Sequence, residues 1–202
     1  MEDVLAVYTR PRDPDYPLVC LDETSKQFLA ETRLPIPMKR GRPARCDYEY
    51  ERNGTANIFM MFAPLEVKVT DRHTAVDYAY VLKELADRYF ANAKTVVLVQ
   101  DNLNIHGKGS LYEAFPAAEA RRLVERFEWH YTPKHGSWLD LAESELGVLT
   151  SQCLDRRIPD KLTLIEEIAA WEHDRNANHT KANWQFTTQN ARIKLKHLYP
   201  AI

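Results

Sequence analysis

Thr95-Val96-Val97-Leu98-Val99-Gln100-Asp101-Asn102 decides the fold. Four consecutive aliphatic residues, three of them β-branched, suit a strand covered on both faces, and such strands are typically the parallel strands of α/β proteins. The run ends in a carboxylate, so Asp101 sits just past the strand, where open α/β sheets place their functional crevice. Toward the N-terminus, Pro17-Leu18-Val19-Cys20-Leu21 repeats the pattern and ends in Asp22-Glu23. This predicts a second buried strand that presents carboxylates at its C-terminal end. Residues 1–16 are polar and proline-punctuated, with no element expected. A further extended piece is expected at Lys26 to Ala30. Leu34-Pro35-Ile36-Pro37 must then be loop, because two prolines exclude both helix and central strand. Asn53-Gly54 predicts a turn between extended segments, and residues 57–64 and 65–70 read as a strand pair, with Leu65, Val67 and Val69 alternating against polar residues.

On the other side of the deciding window the period changes. Ala75, Tyr78, Ala79, Leu82, Leu85, Ala86 and Tyr89 make one face of a helix that Thr74 can cap. Ala117 to Phe127 predicts a short helix, Glu128 to Tyr131 a strand, and Thr132 to Gly136 a loop. Ser137-Trp138-Leu139-Asp140 resembles a capping box with serine as the cap. It opens a helix to about Cys153, with Trp138, Ala142, Leu146, Leu149 and Cys153 as its core stripe. Two more helices are expected, from Lys161 to Arg175 and from Thr187 to Leu198. The order predicts one α/β domain, a mixed sheet with helices on both faces.

The composition narrows the function classes. A chain of 202 residues can bury a sizeable core without disulfides or structural metals. The formal net charge of -2 announces no global basicity, so nucleic-acid contact would need local patches. Three dispersed cysteines without a C-x-x-C pair argue against a disulfide framework or a zinc ribbon, and fit a reducing cytoplasm. No apolar run approaches the ~20 residues that span a bilayer, and the N-terminus lacks the basic-then-apolar order of a signal peptide. A cytoplasmic protein, neither membrane-embedded nor secreted, is the expectation.

Asp22, Asp101 and an acid early on the helix after Asp140, either Glu143 or Glu145, form a set of oxygen donors drawn from distant segments. Such a set suits magnesium or manganese better than zinc. Two ions so held could activate a water or sugar hydroxyl and steady the oxygen leaving a phosphodiester. Helical geometry alone does not choose between Glu143 and Glu145.

Three blocks sharpen the reading: Leu21-Asp22-Glu23, Gln100-Asp101-Asn102-Leu103-Asn104-Ile105-His106, and the stretch from Thr132 through Asp140 to Glu143. Together they closely resemble the D-D-E transposases, in the bacterial insertion-sequence branch of the Tc/mariner superfamily. The resemblance covers nearly the whole chain, including Asp47 to Thr55 and Ala191 to Pro200. It implies a ribonuclease-H-like fold, two Mg2+ or Mn2+ ions, cleavage at terminal inverted repeats and transfer of the freed 3′ hydroxyl into TA-containing target DNA. By the resemblance, Asp22 and Asp101 match the first two catalytic acids, and Glu143 rather than Glu145 the third, all three holding metal. Asp140 stands where the family commonly has Asn, adds a fourth acid near the site, and is read as a helix cap.

DNA contacts are expected from local cations. Lys39-Arg40-Gly41-Arg42-Pro43, with Arg45, contains the Arg-Gly-Arg-Pro core of peptides that lie in narrow minor grooves. It lies in a basic insertion loop of about residues 34–56, which could instead grip a partner subunit. His106, Lys134 and His135 could meet phosphate, and Arg192, Lys194 and Lys196 form a basic face in the helical C-terminal region of about residues 156–202. Trp138 could stack on a base but is expected to anchor its helix in the core. Family members usually carry N-terminal helix-turn-helix modules, and none is visible here. Sequence-specific DNA binding by these residues alone is therefore expected to be weak, with a homodimer or a separate DNA-binding frame as partner. Two alternatives stand beside this reading: a nuclease of the same fold without strand transfer, and a truncated, non-catalytic interaction subunit.

Overall fold

In the computed structural model, residues 1–62, 65–134, 136–178 and 184–199 are described. Strands β1 (Leu18–Glu31), β2 (Tyr50–Phe62), β3 (Glu66–Thr70), β4 (Val96–Gln100) and β5 (Phe127–Tyr131) form one sheet in the order β3-β2-β1-β4-β5. The first three strands run antiparallel in sequence, and β4 and β5 continue the sheet parallel to β1. The deciding window is thus a fully buried parallel strand, as its β-branched run requires.

Strand alternation divides the core into two layers. Cys20, Ile58, Met60, Val97 and Val99 face helices α1 (Glu2–Tyr8), α5 (Leu141–Leu149), α6 (Lys161–Ala177) and α7 (Thr188–Lys194). Val19, Leu21, Phe59, Met61, Val96 and Leu98 face α2 (Ala75–Glu84), α3 (Gly109–Ala114) and α4 (Ala117–Arg126). The expected mixed sheet with helices on both faces is what forms.

Several local expectations need correction. Lys26 to Ala30 is not a separate strand, because β1 runs unbroken from Leu18 to Glu31 beside β2. Asn53-Gly54 is a bulge inside β2 rather than a turn. The register steps between Gln27↔Thr55 and Leu29↔Arg52, so two residues oppose Phe28, and Gly54 takes a φ of 104°. The cap of α5 is Asp140, whose side chain accepts the Ala142 N–H, and Ser137–Leu139 forms a separate 3-10 turn. Trp138 is accordingly 44% exposed instead of anchoring the helix, and stacks on Trp184 at 6.4 Å. Sequence reading also passed over α1, whose Val4, Leu5 and Val7 are buried, and α3. The Thr74 capping box on α2 forms as expected, with Asp77 as its reciprocal partner. The helix after Thr187 is shorter than expected and ends at Lys194.

Because Leu98 is sealed by α2–α4 on a strand flanked by β1 and β5, Leu98→Ala should cost about 3 kcal/mol in urea unfolding. A loss under about 1 kcal/mol would contradict a strand covered on both faces.

Candidate active site

The site follows from one register. In the parallel ladder Leu21 lies opposite Gln100, so the next residues, Asp22 and Asp101, come level where β4 ends. Alternation puts both acids on the side of Cys20 and Val99, the side covered by α5. Asp22 is not at the end of its own strand, since β1 continues and Asp22 pairs with Met60 of β2. It stands where β1 outruns its parallel neighbour. Helix α5 packs across β1 and β2 and carries Glu143, exposed, in its first turn.

The electrostatics show these groups acting on one another. Burial pushes the Asp22 carboxyl up to about 7; the Glu23 N–H bond opposes the rise, and the charges of Glu23, Asp101 and Glu143 add to it. Asp101 goes the other way, lowered first by its hydrogen bond with His106 and also by the N–H of Leu103. His106 is buried, with Nδ1 2.6 Å from Asp101 Oδ1 and Nε2 2.9 Å from Glu23 Oε2. Burial disfavours its charged form, but the two carboxylates outweigh that and push the ring up to about 9. At neutral pH it is an imidazolium clamped between two acids.

The loop that carries Asp101 is pinned from several sides. Gln100, fully buried, accepts the Tyr78 hydroxyl at 2.7 Å and donates to the His106 carbonyl at 2.8 Å. Tyr131 donates to the same carbonyl, and the Asn102 amide donates to the Thr132 carbonyl. The Tyr78 ring packs on the imidazole, centroids 5.0 Å apart. Glu23, Gln100 and Tyr78 were not singled out from sequence. The usable signal was a buried-strand Gln followed by Asp and, five residues on, His.

The structure separates the two candidate third acids. Glu145 is buried and spent in an ion pair with Arg175, whereas Glu143 has no hydrogen bond or ion pair among the described residues and its charge reaches Asp22. Among the described residues no three His, Cys, Asp or Glu side chains yet converge closely enough to cage an ion. The donor chemistry nevertheless fits a hard divalent cation: the facing groups are carboxyls, and burial and acidic neighbours raise Asp22 to about 7, a crowding that a cation would relieve. The one thiol nearby, Cys20, is fully buried, and burial raises its pKa far above the usual thiol range.

The cations expected to meet DNA fall into different settings. Lys39, Arg40, Arg42 and Arg45 are exposed and take part in no side-chain ion pair among the described residues. Their loop folds into a narrow ribbon by the bridges Ile36↔Arg45 and Lys39↔Arg42, with Gly41 at φ 75° in the turn. Arg157 ties its base to Glu31 at 2.6 Å and to the Tyr48 and Glu49 carbonyls. Lys134, Lys194 and Lys196 are exposed. His106, expected to meet phosphate, is instead buried with both ring nitrogens taken, while Arg192 is exposed and forms a two-pronged pair with Glu2 between α7 and α1. His135 lies outside the described residues.

A family model described as DDE superfamily endonuclease matches residues 17–165. Among solved structures, the chain is similar to the Mos1 mariner paired end complex with Mn, with a TM-score of 0.57 and 16% identity over 86% of this chain and 52% of that one. It is similar also to the Mos1 transposase paired-end complex with left transposon end, with a TM-score of 0.56 and 16% identity over 85% of this chain and 52% of the other. The Mos1 Strand Transfer Complex gives a TM-score of 0.52 and 17% identity over 89% and 52% of the two chains. The likeness is one of fold, the ribonuclease-H-like arrangement expected from sequence. The chain spans about half the length of these solved chains. No curated protein sequence matches it. Among the described residues no helix is long and apolar enough to cross a membrane.

The raised Asp22 carboxyl gives a pH signature in protein treated with a chelator. Unfolded, this group ionises near 4, so its native contribution is intact below that pH and is lost as pH rises through about 7. The melting-temperature advantage of Asp22→Asn over wild type should grow between pH 5 and pH 8. A constant difference across that range would contradict the burial and crowding of Asp22.

Proposed function

The chain belongs to the DDE superfamily endonucleases, and from that premise we propose that it is the catalytic domain of a Tc/mariner-type transposase. It cleaves DNA at the inverted-repeat ends of its element and transfers the freed 3′ hydroxyl into TA-containing target DNA. The observation that carries the reading is the level pair Asp22 and Asp101, with the charge of Glu143 acting on Asp22 from α5. Asp22, Asp101 and Glu143 are the catalytic acids and would hold two Mg2+ or Mn2+ ions. When bound, such ions polarise a phosphodiester and make a water or sugar hydroxyl a stronger nucleophile.

The rest of the mechanism belongs to the chain's own groups. His106 and the Leu103 N–H both hold Asp101 Oδ1, which fixes the carboxylate's orientation and leaves Oδ2 for a ligand. Glu23 steadies His106 from the neighbouring strand, so the imidazolium positions Asp101 instead of meeting substrate. The exposed Lys39, Arg40, Arg42 and Arg45 are suited to phosphate or to a second subunit, with Lys134, Arg192, Lys194 and Lys196 as further phosphate contacts. The side of Trp138 left exposed offers a surface on which a base could stack. We assign residues 1–202 to one catalytic domain, with a basic insertion loop at about 34–56 and a helical region at about 156–202. A homodimer, or a partner frame supplying DNA recognition, completes the assembly in a bacterial cytoplasm.

Labelled duplexes of the inverted repeats that flank its own gene, incubated with Mg2+ or Mn2+ and a target plasmid, test this. Wild type should cleave and join the labelled 3′ end to plasmid, while Asp22→Asn, Asp101→Asn and Glu143→Gln should do neither. His106→Gln should lose about 10–100-fold, the usual cost of removing a group that orients a ligand. Glu145→Gln should keep its chemistry while losing about 3 kcal/mol of stability, as expected for breaking a buried ion pair. Cleavage that survives in Asp101→Asn would overturn the assignment, and cleavage without joining would mark a nuclease instead.

A further inference from the structure

Helix α1 ends in Tyr8, a side chain that reaches toward the acidic site from the far side of the core. The helix itself is held firmly. Val4, Leu5 and Val7 are buried in the layer that also contains Cys20 and Ala142. Its polar residues are fastened to the neighbouring elements: Glu2 to Arg192 of α7 at 2.7 Å, and Asp3 Oδ2 to Nδ1 of His130 on β5 at 2.7 Å. Just beyond the helix, Arg10 pairs with Glu128 of β5 at 2.8 Å. Tyr8 is thereby fixed relative to the sheet.

The Tyr8 hydroxyl touches two elements at once. It donates to the Leu139 carbonyl at 2.6 Å, and its oxygen is left to accept from the Cys20 thiol, whose sulfur lies 3.4 Å away. Burial, with Cys20 and Asp140 adding to it, raises the pKa of the hydroxyl, so it keeps its proton and donates. The ring packs on Trp184, centroids 5.0 Å apart. Leu139 is fully buried and precedes the cap of α5, where the Ser144 N–H bonds to the Asp140 carbonyl. Its own carbonyl therefore stands outside the helix ladder, and a buried carbonyl needs a donor, which Tyr8 supplies. Cys20 lies on β1, two residues before Asp22 and on the same strand face. One hydroxyl thus bridges the strand that carries Asp22 and the entry to the helix that carries Glu143.

We propose that the Tyr8 hydroxyl sets where Glu143 stands relative to Asp22, which makes Tyr8 a positioning residue of the acidic site. The proposal rests on the reading that Asp22, Asp101 and Glu143 hold metal. Along its length α5 is seated by Ala142, Leu146 and Leu149. Apolar burial of that kind is non-directional and leaves a helix some freedom to slide and turn. A hydrogen bond has a direction, so the bond to Leu139 fixes how the chain enters the helix. Glu143 is exposed and lies in the first turn, so a shift at the entry reaches it directly. The same hydroxyl, through Cys20, ties that entry to β1 rather than to the domain at large.

Tyr8→Phe isolates the effect, because it keeps the ring against Trp184 and removes only the bridging hydroxyl. Mn2+ is titrated into the purified full chain, with the free ion followed by electron paramagnetic resonance at a temperature below every variant's unfolding midpoint. Wild type should bind Mn2+, and Asp101→Asn should lose it. Tyr8→Phe should bind about 10-fold more weakly, the lower end of what groups that orient a metal's ligands contribute. Glu143→Gln should also weaken binding, and adding Tyr8→Phe to it should change the affinity by less than about twofold, since the hydroxyl acts through Glu143. Leu123→Ala, buried under α4 in the opposite layer, should lower the midpoint and leave Mn2+ affinity within about twofold of wild type. Tyr8→Phe binding like wild type while Asp101→Asn does not bind would overturn the proposal and leave the metal site standing. An undiminished further loss in the Glu143→Gln background would overturn it too, as would Glu143→Gln binding like wild type or Leu123→Ala weakening binding as much as Tyr8→Phe. If wild type fails to bind, or Asp101→Asn binds like wild type, the metal reading fails and takes this proposal with it.

Discussion

The pairing of β1 with β4 is the constraint on which the site depends. Leu21 opposite Gln100 brings Asp22 and Asp101 level on one face, and a slip of one residue would send one of them to the opposite face. The fold secures that register from both sides. Val19 and Leu21 are locked into one apolar layer and Cys20 into the other, so a slipped strand would drive Asp22 into the layer covered by α2–α4 and unseat the packing of both. Gln100 adds a polar lock, joining Tyr78 of α2 to the His106 carbonyl at the end of the loop that carries Asp101.

Bringing carboxylates together has an electrostatic cost, and the structure distributes it unevenly. His106 neutralises part of the charge of Asp101 and Glu23, and Asp101 stays readily ionised. Asp22 has no such partner among the described residues and is pushed toward its neutral form. Glu145, the acid nearest Glu143 in sequence that could have competed with it, is removed from the site by Arg175. What remains is one acid lowered by its histidine, one raised to about 7 and one exposed and unpaired among the described residues, a division suited to receiving a hard cation.

The parts legible in sequence were those set by strong local signals. The β-branched run of β4 and the apolar run of β1 gave the sheet and its buried parallel strand, the acids that follow them gave the candidate pair Asp22 and Asp101, and the three motif blocks pointed to Glu143. Other features depended on contacts made only in the folded chain. Helix α1 has just two turns, and its Val4, Leu5 and Val7 find their partners across the domain, so its period was too short to read. Asn53-Gly54 has turn chemistry, but an unbroken β1 opposite it makes a bulge the better use of the glycine. Arg192 reads as a lone cation on its helix, and only the folded chain brings Glu2, far away in sequence, beside it. His106 reads as a histidine that could meet phosphate until β1 supplies Glu23. In each case a long-range partner decides the role, and one-dimensional spacing does not contain it.

A crystal of the chain grown with Mn2+ and recorded at a wavelength where manganese scatters anomalously would locate the ion that Asp22 and Asp101 are proposed to hold. An anomalous peak bounded by the carboxylates of Asp22 and Asp101, with Glu143 turned toward it, is the expected result. Crystals saturated with Mn2+ that show peaks only elsewhere on the surface, with Asp22 and Asp101 unchanged, would contradict it.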